Sequence, residues 1–244
     1  MPLKLRILGS PPPSFETYAR SLGMSIVDDA PDVIVAYGGD GTLMGAERDF
    51  PGVPKIGFRR SDSCAKCDRH ADDVVLARLA RGKVDEESLM KIEGVCRSVR
   101  LTAINDIIFR NADPRSAVRF NVFLNDMPVT EEIIGDGLVF ATPFGSSAYF
   151  RSITRVTLRT GIGVAFNNCT DFLTHLVLKE TETLAVELAR GPATLTCDND
   201  PVQYSIDAGD RLVLRQAEGA ARLWCPDTLR CGECRYKHAP RRRY

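Results

Sequence analysis

The stretch Gly38-Gly39-Asp40-Gly41-Thr42 has the residue types and spacing to handle phosphate. Its glycines carry no Cβ, so backbone N–H groups there can come close to an anion. The helix formers from Leu43 to Asp49 would set the positive end of a helix dipole behind them. A carboxylate in such a loop repels phosphate unless it has a task. Asp40 could accept a proton from an attacking hydroxyl or hold Mg2+. The same residues also suit a tight turn. The loop lacks the Gly-Lys-Ser/Thr ending of a P-loop and the spacing of a dinucleotide fingerprint.

A longer motif runs from Gly135 to Tyr149, GDGLVFATPFGSSAY. Asp136 stands at the head of an apolar strand that leads into a bend of small and hydroxyl residues. Small residues there let a flat ligand approach the backbone. The hydroxyls of Thr142 and Ser147 could bond a ribose or a base, and Tyr149 could stack on a ring or bond a phosphate.

Two Cys-x-x-Cys pairs, Cys64/Cys67 and Cys231/Cys234, could each present two thiolates to one tetrahedral Zn2+. A redox pair and unligated thiols are the other readings. His70 and His238 lie close enough to serve as alternative ligands, whereas His175 reads as a strand residue. Cys96, Cys169, Cys197 and Cys225 sit in apolar contexts and suit a core. Eight cysteines in a reducing compartment do not suggest a disulfide framework.

These groups need a scaffold. Leu3–Leu8, Val33–Ala36 and Lys55–Phe58 read as strands, and the β-branched run at 33–36 suits a strand buried on both faces. Ser14 could cap a helix to Leu22, and Ala71–Ala80 reads as another helix ending at Gly82. After about Arg100 the pattern changes to short strands: Thr102–Phe109, Val118–Leu124, Gly137–Ala141, His175–Leu178, Thr183–Leu188, Ala193–Cys197, Val202–Ile206 and Arg211–Arg215. Turn signals lie between them, including Asp198-Asn199-Asp200-Pro201. The expectation is an α/β domain over 1–100, a β-rich domain over 101–223 and a tail over 224–244.

The 244 residues are 44% hydrophobic and 26% charged, with zero formal net charge, which favours a small-molecule partner over nucleic acid. No apolar run has the roughly 20 residues that span a bilayer, and the N-terminus lacks the apolar core of a secretion signal. A cytoplasmic protein is expected. Arg241-Arg242-Arg243-Tyr244 reads as a solvated tail or, less simply, a binding device.

The Gly-Gly-Asp-Gly-Thr loop resembles the shared signature of NAD kinases and diacylglycerol-type lipid kinases. The Asp136-to-Tyr149 stretch resembles NAD kinases only, and Asn105-Asp106 is similar to that family's Asn-Glu pair. The resemblance implies a Rossmann-like α/β domain and a C-terminal β-sandwich-like domain, with the ligand site in the crevice between them. It implies that Asp40 polarises the 2′-hydroxyl of the adenosine ribose of NAD, and that Gly38, Gly39, Gly41 and Thr42 hold nucleotide phosphates. Asn105, Asp106, Asp136, Thr142, Ser147, Ala148 and Tyr149 would contact NAD. ATP or another phosphate donor would act with Mg2+, the chain would be a homo-oligomer, and a zinc clasp would pin the tail to the loop after Phe58. The chain departs from the family pattern at Gly57-Phe58-Arg59-Arg60-Ser61, at Asp106, and at Phe150–Thr154, where no glycine pair follows the Ala-Tyr motif. Arg59 and Arg60 could compensate by binding phosphate. A catalytically silent nucleotide-binding protein and a lipid kinase are the competing readings.

Overall fold

The computed structural model describes residues 1–61, 64–130, 132–170, 173–229, 231 and 233–236, with the backbone alone for Cys64, Arg235 and Tyr236. The chain divides into two units, Met1–Ser88 together with the chain from Ala221 onward, and Leu89–Ala220.

The first unit is built in βα order: β1 (Lys4–Gly9), α1 (Pro13–Ser21), β2 (Ser25–Ile26), β3 (Val33–Tyr37), α2 (Asp40–Asp49), β4 (Lys55–Phe58), β5 (Cys64–Ala65) and α3 (Asp72–Ala80). Strands β2, β1, β3 and β4 lie side by side, all parallel, with Gly9 opposite Tyr37 and Tyr37 opposite Phe58. All five residues of β3 are buried, as its continuous β-branched run requires of a middle strand. Phe15 and Ala19 of α1 and Val75, Leu76 and Leu79 of α3 close over Leu5, Val33, Val35, Ile56 and Phe58. The Phe15 ring meets Phe58 edge-on at 4.9 Å. Ser14 does not cap α1. The helix starts one residue earlier at Pro13, whose fixed φ and missing N–H suit a first turn.

The second unit is made mostly of strands: β6 (Glu86–Cys96), β7 (Val99–Ala103), β8 (Asp106–Asn111), β9 (Val118–Leu124), β10 (Met127–Pro128), β11 (Ile133–Gly135) and β12 (Gly137–Ala141). After α4 (Tyr149–Thr154) come β13 (Ile162–Asn167), β14 (His175–Leu178), β15 (Leu184–Arg190), β16 (Ala193–Cys197), β17 (Tyr204–Ile206) and β18 (Arg211–Trp224). One sheet runs β14-β13-β12-β8-β16-β17, all antiparallel. Strands β9, β15 and the start of β18 pair in another. Both sheets contribute to one core, in which Phe109 of β8 meets Phe120 of β9 edge-on at 5.4 Å. This is a β-sandwich. Residues 89–100, expected in the first domain, belong here because β6 pairs with β7 from Ile92↔Ala103 to Cys96↔Val99. The strand expected over Thr102–Phe109 is interrupted at Ile104-Asn105.

The first unit regains the chain at Ala221. Strand β18 does not stop near Arg215 but continues to Trp224, pairing in parallel with β4 through Leu223↔Lys55 and Trp224↔Ile56. A short 3-10 turn follows at Pro226–Thr228, and β19 (Arg235–Tyr236) pairs antiparallel with β5. The expected boundary before residue 224 therefore falls inside a strand. The basic run Arg241–Arg243, with Tyr244 and His238, lies outside the described residues. No described helix is long and apolar enough to cross a membrane.

Candidate functional site

Strand β3 delivers the glycine loop directly to the start of α2. Gly39 holds the N-cap position with no side-chain cap, and Asp40 is the first helical residue. The helix thus begins three residues earlier than expected, inside the loop itself. Gly38 is buried against Thr42: a Cβ there would lie 2.2 Å from the Thr42 Oγ1, so only glycine fits without displacing that side chain. The Asp40 side chain is half exposed, and Nη2 of Arg59 donates to its Oδ1 at 2.9 Å. The same Nη2 donates to the Leu229 carbonyl at 3.1 Å. Arg59, expected as a phosphate ligand, is therefore seated on the carboxylate. No sequence signal tied Arg59 to Asp40. Beside them, Tyr37 donates its hydroxyl to Asp72 at 2.8 Å. Burial first, and the Asp72 carboxylate second, hold that phenol well above its ordinary pKa. The arrangement offers an uncapped helix terminus, an accessible carboxylate and an adjacent guanidinium, a set suited to phosphate chemistry.

In the β-sandwich, residues 104–106 and 142–149 come together although far apart in sequence. Thr142 N–H donates to the Asn105 carbonyl at 3.0 Å, and a Cβ on Gly145 would lie 2.0 Å from that same oxygen. Thr142 is fully buried. Its hydroxyl donates to the Ile104 carbonyl at 2.5 Å and accepts from Gly145 N–H at 3.0 Å. It braces the bend rather than presenting a free hydroxyl. Ser147 and Ala148 are exposed and Tyr149 is half-buried at the head of α4. Asn167 Nδ2 donates to the Tyr149 hydroxyl at 3.4 Å. Tyr149 lines a groove of about 370 Å3 with Ile108, Arg110, Thr194, Thr196 and Gln203. Asp136 accepts from Asn168 Nδ2 at 3.1 Å, which leaves it half-buried at the strand head.

Asp198, read from sequence as part of a turn, organises this region. Its carboxylate accepts from the N–H groups of Ile104 (3.1 Å), Asn105 (2.8 Å) and Asp106 (3.0 Å). Asp106 is buried, and Asn105 Nδ2 donates to its Oδ2 at 3.0 Å. Desolvation, then the nearby Asp198 charge, raises the Asp106 pKa to about 7. Near neutral pH its carboxyl exists in both forms and can donate as well as accept.

A second cluster sits within the first unit. One donor atom from each of Cys67, His70, Cys231 and Cys234 falls within 4.8 Å of the others. It can hold a metal ion. Cys67, Cys231 and Cys234 were expected there. His70, buried, joins them from the short 3-10 turn Asp68–His70, while the Cys64 side chain lies outside the described residues. His175 lies in β14 beside Phe150, and Cys96, Cys197 and Cys225 are buried, as expected of strand and core residues. Cys169 is half-buried against the sandwich core.

A scan of protein-family models finds no match. Among curated proteins, the NAD kinase of Sulfurisphaera tokodaii is 32% identical over 176 residues, covering 70% of this chain and 69% of that protein. The NAD kinase of Thermomicrobium roseum is 30% identical over 210 residues, covering 79% of this chain and 70% of its own. Two solved structures share the fold. Yeast NADH kinase complexed with NADH aligns with a TM-score of 0.76 and 15% identity, covering 91% of this chain and 83% of that one. An NAD kinase from Archaeoglobus fulgidus in complex with ATP gives 0.75 and 16%, covering 94% of this chain and 96% of that one.

Proposed function

The chain belongs to the NAD kinase family, and from that premise we propose that it phosphorylates the 2′-hydroxyl of the adenosine ribose of NAD, with ATP as donor and Mg2+. Phosphoryl transfer asks little covalent chemistry of a protein. It needs an aligned acceptor, a base or polarising group, and positive charge around the moving phosphoryl group. Asp40 is the base: half exposed at the head of an uncapped helix, it can take the hydroxyl proton as the oxygen bonds to the terminal phosphorus and the bond from that phosphorus to the bridging oxygen breaks, releasing ADP. Gly38 N–H donates to the Phe58 carbonyl at 2.8 Å and Thr42 N–H to the Gly39 carbonyl at 3.1 Å, so phosphate oxygens are received at the Gly39–Gly41 turn rather than at those two amides. Arg59 holds the carboxylate through Nη2 before substrate arrives, and its guanidinium can turn to phosphate once the hydroxyl takes its place. The triphosphate would bring Mg2+, which would neutralise charge, and the Asp40 carboxylate could offer this hard cation an oxygen.

In this reading the dinucleotide is the task of the β-sandwich. Asn105, Asp106 and Asp136 bond its sugars or amide. Ser147, Ala148 and Tyr149 border its rings, with the groove beside Tyr149 giving a flat group room. Thr142 and Asp198 hold that surface in shape.

The observation that carries the proposal is the Asp40 carboxylate, accessible at a helix N-terminus behind a glycine whose Cβ would displace the Thr42 side chain. Incubating the purified protein with NAD, ATP and Mg2+ tests it, with NADP measured by an NADP-specific dehydrogenase. Formation of NADP is expected. Saturable NAD binding without product would replace the proposal with a catalytically silent nucleotide-binding protein.

A further inference from the structure

We propose that Cys67, His70, Cys231 and Cys234 form a closed, four-coordinate structural Zn2+ site that clasps the segment after β18 to the loop after β4. Two turns brought side by side by the β5–β19 pairing supply the donors. Cys67 Sγ lies 3.9 Å from Cys231 Sγ and 3.7 Å from Cys234 Sγ, and His70 Nδ1 lies 3.2 Å from Cys67 Sγ and 3.3 Å from Cys234 Sγ. Bonds of about 2.3 Å to sulfur and about 2.0 Å to nitrogen around one tetrahedral ion separate sulfurs by about 3.8 Å and sulfur from nitrogen by about 3.5 Å. These four spacings lie within about 0.3 Å of those edges, and every other pair lies within 4.8 Å. They exceed a sulfur–sulfur bond, and all three cysteines are free.

The surroundings serve a bound cation. His70 presents Nδ1 to the sulfurs, and its Nε2 lies 2.8 Å from Asp227 Oδ2, the carboxylate–histidine–metal relay that sets the ring's tautomer and orientation. Arg78 donates to that same Asp227 oxygen at 3.2 Å and fixes it in turn. Backbone N–H groups point at two of the sulfurs, Cys67 N at Cys234 and Glu233 N at Cys231, both at 3.4 Å. Three sulfurs and one imidazole select a borderline-soft ion such as Zn2+ over Mg2+ or Ca2+, and four protein ligands leave no position open for water. The role is therefore structural. It is distinct from phosphoryl transfer, although the clasped segment includes Leu229, whose carbonyl accepts from Arg59 and whose side chain packs directly on Gly57.

The full-length protein, purified without added metal under reducing conditions, is analysed for zinc. Its Co2+-substituted form is examined for the intense thiolate charge-transfer and tetrahedral d–d bands. One equivalent of zinc per chain is expected, with removal by a strong chelator lowering Tm by about 5 °C or more. Cys231→Ser and Cys234→Ser should lose the metal, and His70→Ala should lose it or shift the cobalt bands. Cys64→Ser and Asp40→Asn should keep the full equivalent, which separates this site from the catalytic reading. Less than a tenth of an equivalent in protein exposed to Zn2+ with intact thiols would overturn the proposal. Loss of metal in Cys64→Ser together with unchanged bands in His70→Ala would overturn the ligand set. If a cysteine variant fails to fold, the cobalt spectrum of the unaltered protein decides alone.

Discussion

Asp40 and Asp198 are both aspartates at the edge of a loop, and the fold uses them in opposite ways. Asp40 keeps its side chain half exposed and meets the Arg59 guanidinium through one oxygen. Asp198 gives its oxygens to three consecutive backbone N–H groups and so fixes the path of residues 104–106. A carboxylate that takes part in a reaction needs an oxygen within reach of the reacting atom. One that shapes a binding surface is most effective when its hydrogen-bonding capacity is filled by backbone. The contrast extends to the surrounding regions. The glycine loop is one continuous run of chain, whereas the proposed dinucleotide surface draws on residues 104–106, 136, 142–149 and 198.

Four substitutions test this contrast. Asp40→Asn carries the largest expected effect: turnover of NAD falls by about 10²–10⁴-fold, with Tm nearly unchanged. Retained turnover in the well-folded variant would remove Asp40 from the chemistry. Asp198→Ala leaves three amides without their acceptor and should cost about 3 kcal/mol of stability in denaturant titration, with a raised KM for NAD. A stable protein with normal KM would show that the loop holds itself. Thr142→Val removes a buried hydroxyl that bonds two backbone groups, for a loss of about 2 kcal/mol. If KM for NAD rose sharply while stability held, Thr142 would be a ligand contact rather than a brace.

The smallest effect is a pH dependence. The native Asp106 pKa of about 7 lies above the unfolded value of about 3.9, so the protonated form favours the fold. That contribution is complete below about pH 4 and is lost as pH rises through about 7. Asp106→Asn, uncharged throughout, should flatten stability over that window and be more stable than the parent at pH 8 by on the order of 1 kcal/mol. Parallel stability curves for variant and parent would show that the carboxyl is not desolvated.

Local pattern and non-local contact explain what the sequence made legible. Val33–Tyr37 and Lys55–Phe58 are short β-branched or apolar runs between turn residues, and they appear as strands at almost the expected bounds. The Gly38–Thr42 loop was readable because its geometry is determined within five consecutive residues. By contrast, β6 carries Glu86, Glu87, Lys91 and Glu93 among its apolar residues, and its polar positions hid it. Its Glu93 is buried at one edge against Arg100 and Arg215, partners that no local window contains. Helix α4 is only six residues long and follows a bend, too short for a periodic signal. Asp198 was hidden similarly, since it looks like turn material, whereas His70 was readable as an alternative ligand although it meets Cys231 and Cys234 only once the chain has returned to the first unit. The Cys-x-x-Cys pairs marked where a metal-binding cluster could form, while which of Cys64 and His70 completes it was not legible.

The return of β18 to pair beside β4 has a consequence for the order in which the molecule assembles. Residues 89–220 form a contiguous stretch and contain everything their own core requires. The earlier unit remains incomplete until residues beyond 220 are available, since Leu223, Trp224 and Cys225 complete its sheet edge and interior. During synthesis from the N-terminus, the second-made unit is thus free to reach its native state while the first-made one still waits for its closing strand.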